Sequence, residues 1–439
     1  MNRQPLRIST IVLFWLPLAA TWFMMAAEGP YIAAIVARMP AAALALAAYG
    51  VATSLAWLIE SPIMMLLSAS ATLVRDKASY LALRRFAFLL NALVTLGMVF
   101  LAIPPVFRFV GMTLIGLPEE IARLAHAATV ILIPWPAAIG YRRFYQGILV
   151  RHHLTRRVAY GTVVRLTTMS VVAALLAFRT SVAGSTLGAV AMLCGVIGEA
   201  AASRWMARHV VNTLTGSAEE AEGTLLQLPA IARFYYPLAL TSVLSMALGP
   251  LVTFGLSRGR APIESLAVWP VVVSLLFLFR SGGVAFQEVG IALTGMHHEH
   301  EREVRRTAAW LGTIFSLALA LVAFTPLETI WFVRVSGLSP DLAALAVWPV
   351  RVMFLLPALE YLLSVQRARW ILVHRTGVVT AATAIETGGL AIALFVTVGP
   401  LHMIGAVGGA IALMAGRLAA NAFLAVQARV ARRSVQSIV

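Results

Sequence analysis

The chain has 439 residues, of which 60% are hydrophobic and only 12% are charged, and its formal net charge is +16 at pH 7. A soluble protein of this length carries about twice that charged fraction, so the composition excludes an ordinary soluble globular protein. Apolar stretches of roughly 20 residues, long enough to cross a bilayer as a helix, recur along the whole sequence. The sequence therefore predicts an all-α polytopic membrane protein rather than a β-barrel, whose strands alternate over about 10 residues.

About twelve transmembrane helices fit this pattern. Their approximate centres are residues 20, 56, 97, 135, 168, 197, 243, 276, 316, 357, 387 and 415. The basic residues concentrate in every second loop, a distribution typical of loops that face the cytoplasm. We therefore predict a multi-pass protein of the cell inner (plasma) membrane with both termini cytoplasmic. The positive charge then reflects membrane topology, and we expect the lipid bilayer, not nucleic acid, as partner.

The two halves of the chain repeat each other. The segment FWLPLAATWFMMAAEGP at 14–30 matches FYYPLALTSVLSMALGP at 234–250 without a gap, and Gly184 matches Gly405 near the end of each half. Six spans per repeat place both repeats in the same orientation across the membrane, related by an axis along its normal. We predict an N-terminal six-helix lobe at 1–211, a cytoplasmic linker at 212–230 and a C-terminal six-helix lobe at 231–439.

Charged residues inside predicted spans are the first candidates for function, because an ionisable group in a bilayer is costly and is paired or functional. Glu60 lies in WLIESPIMML and aligns in the repeat with Arg280 of FLFRSGG. Both are predicted at mid-membrane, where we expect them to face a central cavity and to pair across it in one conformation. Glu28 and Glu386 are further candidates for substrate or coupling-ion binding there. A static pair within the helix bundle is the alternative.

Arginines recur on the inner half of the fourth and tenth predicted spans. YRRFYQGILV contains Arg142 and Arg143, and SVQRARWILV contains Arg367 and Arg369. Guanidinium groups bind carboxylates and phosphates, so these residues are candidates for a cationic vestibule that concentrates anions. Anchoring by positive charge on the cytoplasmic side is the competing interpretation.

Glu199 and Arg417 fall within one turn of each other in the repeat, near the inner end of their helices, and we expect an inner ion pair or interfacial anchoring there. The single cysteine, Cys194, excludes an internal disulfide and a Cys-based metal site. The run GMHHEHERE at 295–303 has no zinc-site spacing, so we interpret it as a solvated loop and expect no metal and no cofactor.

Two segments carry a family resemblance. FYYPLALTSVLSMALGPLVTFGLSRG and VWPVRVMFLLPALEYLLSVQRARWILVHRT resemble parts of the progressive ankylosis protein family. WLPLAATWFMMAAEGP, which contains Glu28, is similar to the first helix of that family. The resemblance implies a transporter of the multidrug/oligosaccharidyl-lipid/polysaccharide (MOP) superfamily, alongside the multidrug and toxic compound extrusion (MATE) transporters. It implies a two-lobed exporter that works by rocking-bundle alternating access.

Members of the animal family export organic anions and phosphates such as citrate and ATP, and other branches export drugs by proton or sodium antiport or flip lipid-linked sugars. From the residues and the resemblance together we expect a secondary active exporter of small organic solutes, with organic anions as one candidate class. The coupling ion is expected to be H⁺ or Na⁺, and no enzymatic activity is expected. A lipid-linked oligosaccharide flippase is the alternative, and a membrane-embedded enzyme using the His-rich loop is a third.

Overall fold

The computed structural model is almost entirely helical over the residues it describes, which are 7–152, 154–179, 182–216, 228–294, 300–373 and 375–436. Within these residues, nine helices are long and apolar enough to cross a bilayer. The number rises to eleven if each of two bent helix pairs counts as one span. The chain is an all-α, multi-pass membrane protein, as its composition predicts.

The described residues form eighteen α-helices. Their bounds in chain order are α1 Ile8–Val36, α2 Ala42–Glu60, α3 Leu66–Leu73, α4 Lys77–Ala102, α5 Pro104–Arg108, α6 Glu119–Ile131, α7 Trp135–Arg151, α8 Thr155–Arg179, α9 Gly184–Gly216, α10 Leu228–Met246, α11 Leu248–Arg258, α12 Pro262–Leu293, α13 Glu301–Phe324, α14 Leu327–Thr329, α15 Pro340–Val352, α16 Leu356–Leu372, α17 Thr376–Val398 and α18 Gly405–Gln436. A 3₁₀ turn at Ser61–Met65 follows α2. Every predicted span centre lies within one of these helices, and the span predicted near residue 243 is divided between α10 and α11.

The internal repeat is visible in unusual backbone features. Ala41 and Ala261 precede α2 and α12, and both have positive φ, 53° and 50°. Non-glycine residues rarely adopt this conformation, so its recurrence at the equivalent position of the second half is a specific sign of repeated structure. Short π-helical segments at Phe109–Ile115 and Ile330–Val335 also begin at equivalent positions of the two halves. The duplication predicted from the sequence thus extends to local irregularities.

The helices pack into two compact units. One unit, here called the N-terminal unit, is Met39–Thr253, and the other, the C-terminal unit, comprises Met1–Arg38 and Phe254–Val439. The lobes predicted from the sequence, 1–211 and 231–439, differ from this grouping in where the first helix of each half is placed. Helix α1 packs with the second half of the chain, and α10 packs with the first half.

Matching hydrogen bonds hold these two helices. The indole Nε1 of Trp15 in α1 donates to the carbonyl oxygen of Gly282 in α12 at 2.8 Å. The hydroxyl of Tyr235 in α10 donates to the carbonyl oxygen of Pro62 at 2.5 Å. Tyr235 aligns with Trp15 in the gap-free match of the two halves, and Gly282 aligns with Pro62 at the same offset. The repeat therefore makes the same contact twice, once inside each unit.

A capping box fixes the start of α4. The side chain of Asp76 accepts a hydrogen bond from the backbone N–H of Ser79 at 2.8 Å, and the Ser79 hydroxyl accepts one from the backbone N–H of Asp76 at 3.0 Å. These bonds satisfy N–H groups that have no partner within the helix. The hydrogen bond from the Ser79 N–H stabilises the ionised carboxylate and lowers the pKa of Asp76 below its usual value.

Candidate functional site

Glu60 is the last residue of α2, and the helix ends there because Pro62 follows in the 3₁₀ turn and lacks a backbone N–H. The side chain of Glu60 is buried and accepts a hydrogen bond from the indole Nε1 of Trp135. Trp135 is the first residue of α7, where the prolines on either side of it favour a helix start. The break between α6 and α7 therefore places an indole donor against a buried carboxylate.

A second buried carboxylate, Glu199 of α9, forms a hydrogen bond and ion pairs with side chains of two other helices, α7 and α8. Arg142 Nη1 forms an ion pair with its Oε2, and Gln146 Nε2 donates to its Oε1 at 2.9 Å. Arg165 of α8 approaches the same carboxylate at 3.7 Å, and its guanidinium lies 5.9 Å from the centre of the Trp135 ring. Glu199 and its partners thus join α7, α8 and α9.

These groups form a charge cluster that we call the N-terminal network, defined as Glu60, Arg142, Arg143, Arg165 and Glu199. The three guanidinium groups all act electrostatically on Glu60. Arg143 is only partly buried, and its Nη2 lies 3.7 Å from the sulfur of Met64. With three arginines and two glutamates, the fully ionised network carries one excess positive charge.

In the C-terminal unit, Glu360 of α16 is held by two arginines. Arg280 of α12 approaches its Oε2 at 2.8 Å, and Arg417 of α18 approaches the same atom at 3.0 Å. Arg417 also pairs with Glu386 of α17 at 2.9 Å. Four helices are therefore connected through buried carboxylates.

Arg367 extends this chain of contacts. Its Nη2 lies 3.7 Å from Glu386 and donates to the Thr383 hydroxyl at 3.2 Å. The side chains of Arg280 and Arg367 are 27% and 23% exposed, whereas those of Glu360, Glu386 and Arg417 are nearly inaccessible. We call this set, Arg280, Glu360, Arg367, Glu386 and Arg417, the C-terminal network. It also contains three arginines and two glutamates, and its two outer arginines remain accessible.

Gly282 and Gly283 follow Arg280 in helix α12, which runs without a break from Pro262 to Leu293. A Cβ atom at Gly283 would lie 3.0 Å from Cγ of Glu360, closer than ordinary van der Waals contact. The glycine therefore permits α16 to approach closely enough for Glu360 to reach Arg280.

The structure places the predicted site residues in both units. Glu60 and Arg280 lie in different units, and each has partners inside its own unit. Glu199 and Arg417, for which the sequence predicts an inner ion pair or interfacial anchoring, also lie in different units, and each is paired inside its own unit. The structure shows Glu28 buried in α1 of the C-terminal unit.

Of the four arginines assigned to a vestibule, three belong to the networks. Arg369 instead pairs with Glu301 at 3.3 Å, where both side chains are about one-fifth exposed. The partners of the buried arginines are carboxylates of neighbouring helices, so these residues first serve to connect the helices of each unit.

The sequence did not predict Arg165, a member of the N-terminal network, or Trp135, the hydrogen-bond donor to Glu60. A signal for Arg165 was present, because it aligns with Glu386 at the same offset that relates Gly184 to Gly405. Glu60 and Arg280 likewise carry opposite charges at matching positions of the repeat. Glu199 and Arg417 also carry opposite charges, at positions that match to within one helical turn. The two networks are therefore built on four pairs of equivalent helices, and acid and base are exchanged in three of the pairs.

The histidine-rich run contributes little to the described structure. His297, His298 and Glu299 lie outside the described residues. Among the residues that are described, no three His, Cys, Asp or Glu side chains are grouped closely enough to hold a metal ion.

Comparison with known proteins identifies the fold. No family model and no curated protein matches the sequence. Among solved structures, a multidrug resistance MATE family transporter of the MOP superfamily in an inward-facing conformation matches with a TM-score of 0.74 at 13% identity, over 95% of this chain and 96% of that one. The chain has the MATE fold.

Two other solved structures are similar as well. The lipid II flippase MurJ in an inward closed conformation matches with a TM-score of 0.72 at 13% identity, over 94% of this chain and 87% of that one. A MOP superfamily transporter from Pyrococcus furiosus, described as having a binding pocket of reverse polarity, matches with a TM-score of 0.65 at 13% identity, over 98% and 96% of the chains. The predicted fold and superfamily likeness are confirmed, and the closer resemblance to the progressive ankylosis family stays a prediction.

Proposed function

We propose that this MATE-fold protein is a secondary active exporter of small organic solutes, with organic anions as its preferred class, and not an enzyme. It would work in the inner membrane by rocking-bundle alternating access, with both termini in the cytoplasm. The observation that carries the proposal is the C-terminal network, in which three arginines face two carboxylates and two of the arginines remain accessible.

The charge balance of this network favours an anionic solute. A buried charge is costly unless it is paired, and Glu360 and Glu386 together neutralise only two of the three guanidinium groups. The accessible edges of Arg280 and Arg367 are suited to a carboxylate or phosphate, which guanidinium binds through two parallel hydrogen bonds. A bound anion would complete the neutralisation of the network.

The carboxylates supply the means of coupling to an ion gradient. Protonation of Glu386, or Na⁺ binding to it, would weaken its attraction for Arg417 and Arg367 and so change the packing of three helices. Glu60 and Glu28, both buried, are the further candidates for coupling. An ion that binds one conformation better than another shifts their populations, which is the requirement for antiport.

The test uses inside-out membrane vesicles with an imposed proton gradient and, separately, a sodium gradient. Accumulation of labelled citrate, ATP and a cationic dye is measured for the wild type, Arg280→Gln, Arg280→Lys and Glu60→Gln. Arg305→Gln, at an exposed position of α13, is the matched control for loss of one arginine. Monodisperse elution of each purified variant establishes that it is folded.

Gradient-driven uptake of an anion that is lost in Arg280→Gln, partly kept in Arg280→Lys and unchanged in Arg305→Gln supports the proposal. Uptake of the dye alone, with loss in Glu60→Gln but not in Arg280→Gln, would contradict the anion assignment and favour a drug antiporter.

A lipid-linked oligosaccharide flippase is the second candidate, favoured by the similarity to the lipid II flippase. The same guanidinium groups can bind a pyrophosphate head group. If no soluble solute accumulates in the vesicles, translocation of a fluorescent lipid-linked oligosaccharide in reconstituted liposomes distinguishes this function. Translocation that needs Arg280 would then replace the exporter as the assigned activity.

A further inference from the structure

A groove outside both charge networks runs along the surface of the N-terminal unit. Its volume is about 1150 Å³, and its walls are one face each of α4 and α9, with α7 as the floor. Phe88 and Leu96 mark the ends of the α4 wall, and Ile197 and Arg208 mark the ends of the α9 wall. The floor contains Ala138, whose small side chain leaves the space between the two walls open.

The length of the groove corresponds to one leaflet of a bilayer. From Ile197 to Arg208 helix α9 rises about 16 Å, at 1.5 Å per residue. The hydrocarbon core of a bilayer is about 30 Å thick, so one leaflet contributes about half of that. The groove is therefore long enough for the acyl chain of a lipid lying parallel to α4 and α9.

The sides of the groove are mainly apolar, apart from Asn91 and Thr95 on the α4 wall, and they are open to the surroundings. Phe88 and Leu96 are 50% and 62% exposed, and Trp205, one turn before the end of the α9 wall, is 62% exposed. Both α4 and α9 are long, apolar helices that qualify as membrane spans. Because side chains at such positions face lipid, the groove is accessible from within the bilayer.

One end of the groove is cationic. Arg204 and Arg208 are one turn apart on α9, and in the part of the chain that the structure describes neither forms an ion pair with a carboxylate. The guanidinium of Arg204 lies 5.1 Å from the centre of the Tyr145 ring, and that of Arg208 lies 4.8 Å from the Trp205 ring. Aromatic contacts hold the planar groups in place and leave their N–H edges available to an anion.

We propose that this groove binds an anionic phospholipid of the surrounding bilayer, with an acyl chain along α4 and α9 and the phosphate at Arg204 and Arg208. The sequence predicts that these two arginines lie at the cytoplasmic side, so the lipid comes from the cytoplasmic leaflet. The walls are mainly apolar and have the length of one leaflet, which suits an acyl chain. At one end lie two arginines that pair with no carboxylate among the described residues, which suits a phosphate, and a phospholipid presents these two parts in the same order.

The test is native mass spectrometry of the purified full-length protein, equilibrated in detergent with equal amounts of phosphatidylglycerol and phosphatidylethanolamine of identical acyl chains. We expect the wild type to retain phosphatidylglycerol preferentially. Arg204→Gln/Arg208→Gln should lower the ratio of bound phosphatidylglycerol to phosphatidylethanolamine about 10- to 30-fold. The matched control is Arg302→Gln/Arg306→Gln, which removes two arginines with the same spacing from the start of α13, where both are exposed.

A second variant fills the groove without changing the charge. Ala201→Phe, on the α9 wall, should lower retention of both lipids, whereas Ala309→Phe, at an exposed position of α13, should not. The proposal is overturned if the wild type shows no preference between the lipids, or if Arg204→Gln/Arg208→Gln behaves like its control. It is also overturned if Ala201→Phe leaves lipid retention unchanged, or if it instead dissociates a dimer, since a second copy of the chain would then occupy the groove.

Discussion

Replacing Glu360 by glutamine tests whether the C-terminal network stabilises the unit. Glu360 is 5% exposed, and the change removes the carboxylate that faces Arg280 at 2.8 Å and Arg417 at 3.0 Å while preserving its shape. Removing one member of a buried ion pair costs about 3–5 kcal/mol, because the remaining charge is left buried without compensation. Arg417 keeps Glu386 and Arg280 is partly exposed, so we expect a cost at the lower end of this range, about 3 kcal/mol.

The matched control is Glu301→Gln, which removes a carboxylate from the partly exposed pair with Arg369. An exposed ion pair contributes about 0–1 kcal/mol, so the two glutamate-to-glutamine changes should differ by several-fold in their effect. The assay is the free energy of unfolding from titration with a denaturing detergent, with protein concentration and lipid content held constant.

A third variant separates the charge effect from packing. Glu360→Gln/Arg280→Gln restores the net charge of the network and should recover about 1–3 kcal/mol relative to Glu360→Gln alone. If Glu360→Gln costs no more than Glu301→Gln, or if the second change brings no recovery, the carboxylate does not hold the helices together as described.

Two further predictions concern contacts outside the networks. Tyr235→Phe should lower the free energy of unfolding by about 1–3 kcal/mol, because it leaves the carbonyl oxygen of Pro62 without its buried donor. The control is Tyr236→Phe, at a neighbouring side chain that is 68% exposed, which should change the free energy of unfolding little. Equal effects of the two changes would contradict the proposed role of the hydrogen bond. At pH 7, Asp76→Asn should lower the free energy of unfolding by about 0.3–1 kcal/mol, since an ionised cap interacts favourably with the helix N-terminus. The folded-state pKa of Asp76 lies below its unfolded value of 3.8, so this contribution is present above that pH and is lost as the pH falls through the folded-state pKa. The difference between wild type and Asp76→Asn should therefore shrink below pH 3.8, and a constant difference from pH 7 into that range would refute the assignment.

The sequence by itself determined the membrane class, the helix positions and the internal duplication. Long apolar runs leave few structures other than spanning helices, because the backbone must satisfy its own hydrogen bonds in lipid. The repeat was recognisable because prolines and glycines at nearly constant offsets of 220 and 221 residues mark the same backbone positions in both halves. The alignment of the two halves also predicted that Glu60 and Arg280, which carry opposite charges, occupy equivalent helices.

Only the tertiary structure decided which charges meet. Sequence spacing indicates the depth of a residue in the membrane, but a helix can turn the same residue towards any neighbour. Arg280 therefore pairs with Glu360, a contact made possible by the close approach of α16 to Gly283, and Glu199 pairs with Arg142 and Arg165. The placement of α1 with the second half of the chain likewise depends on long-range packing that no local pattern could reveal. Ile11, Trp15 and Ala19 of α1 lie in one hydrophobic core with residues of α12 and α13, and the Trp15 indole donates to the carbonyl oxygen of Gly282.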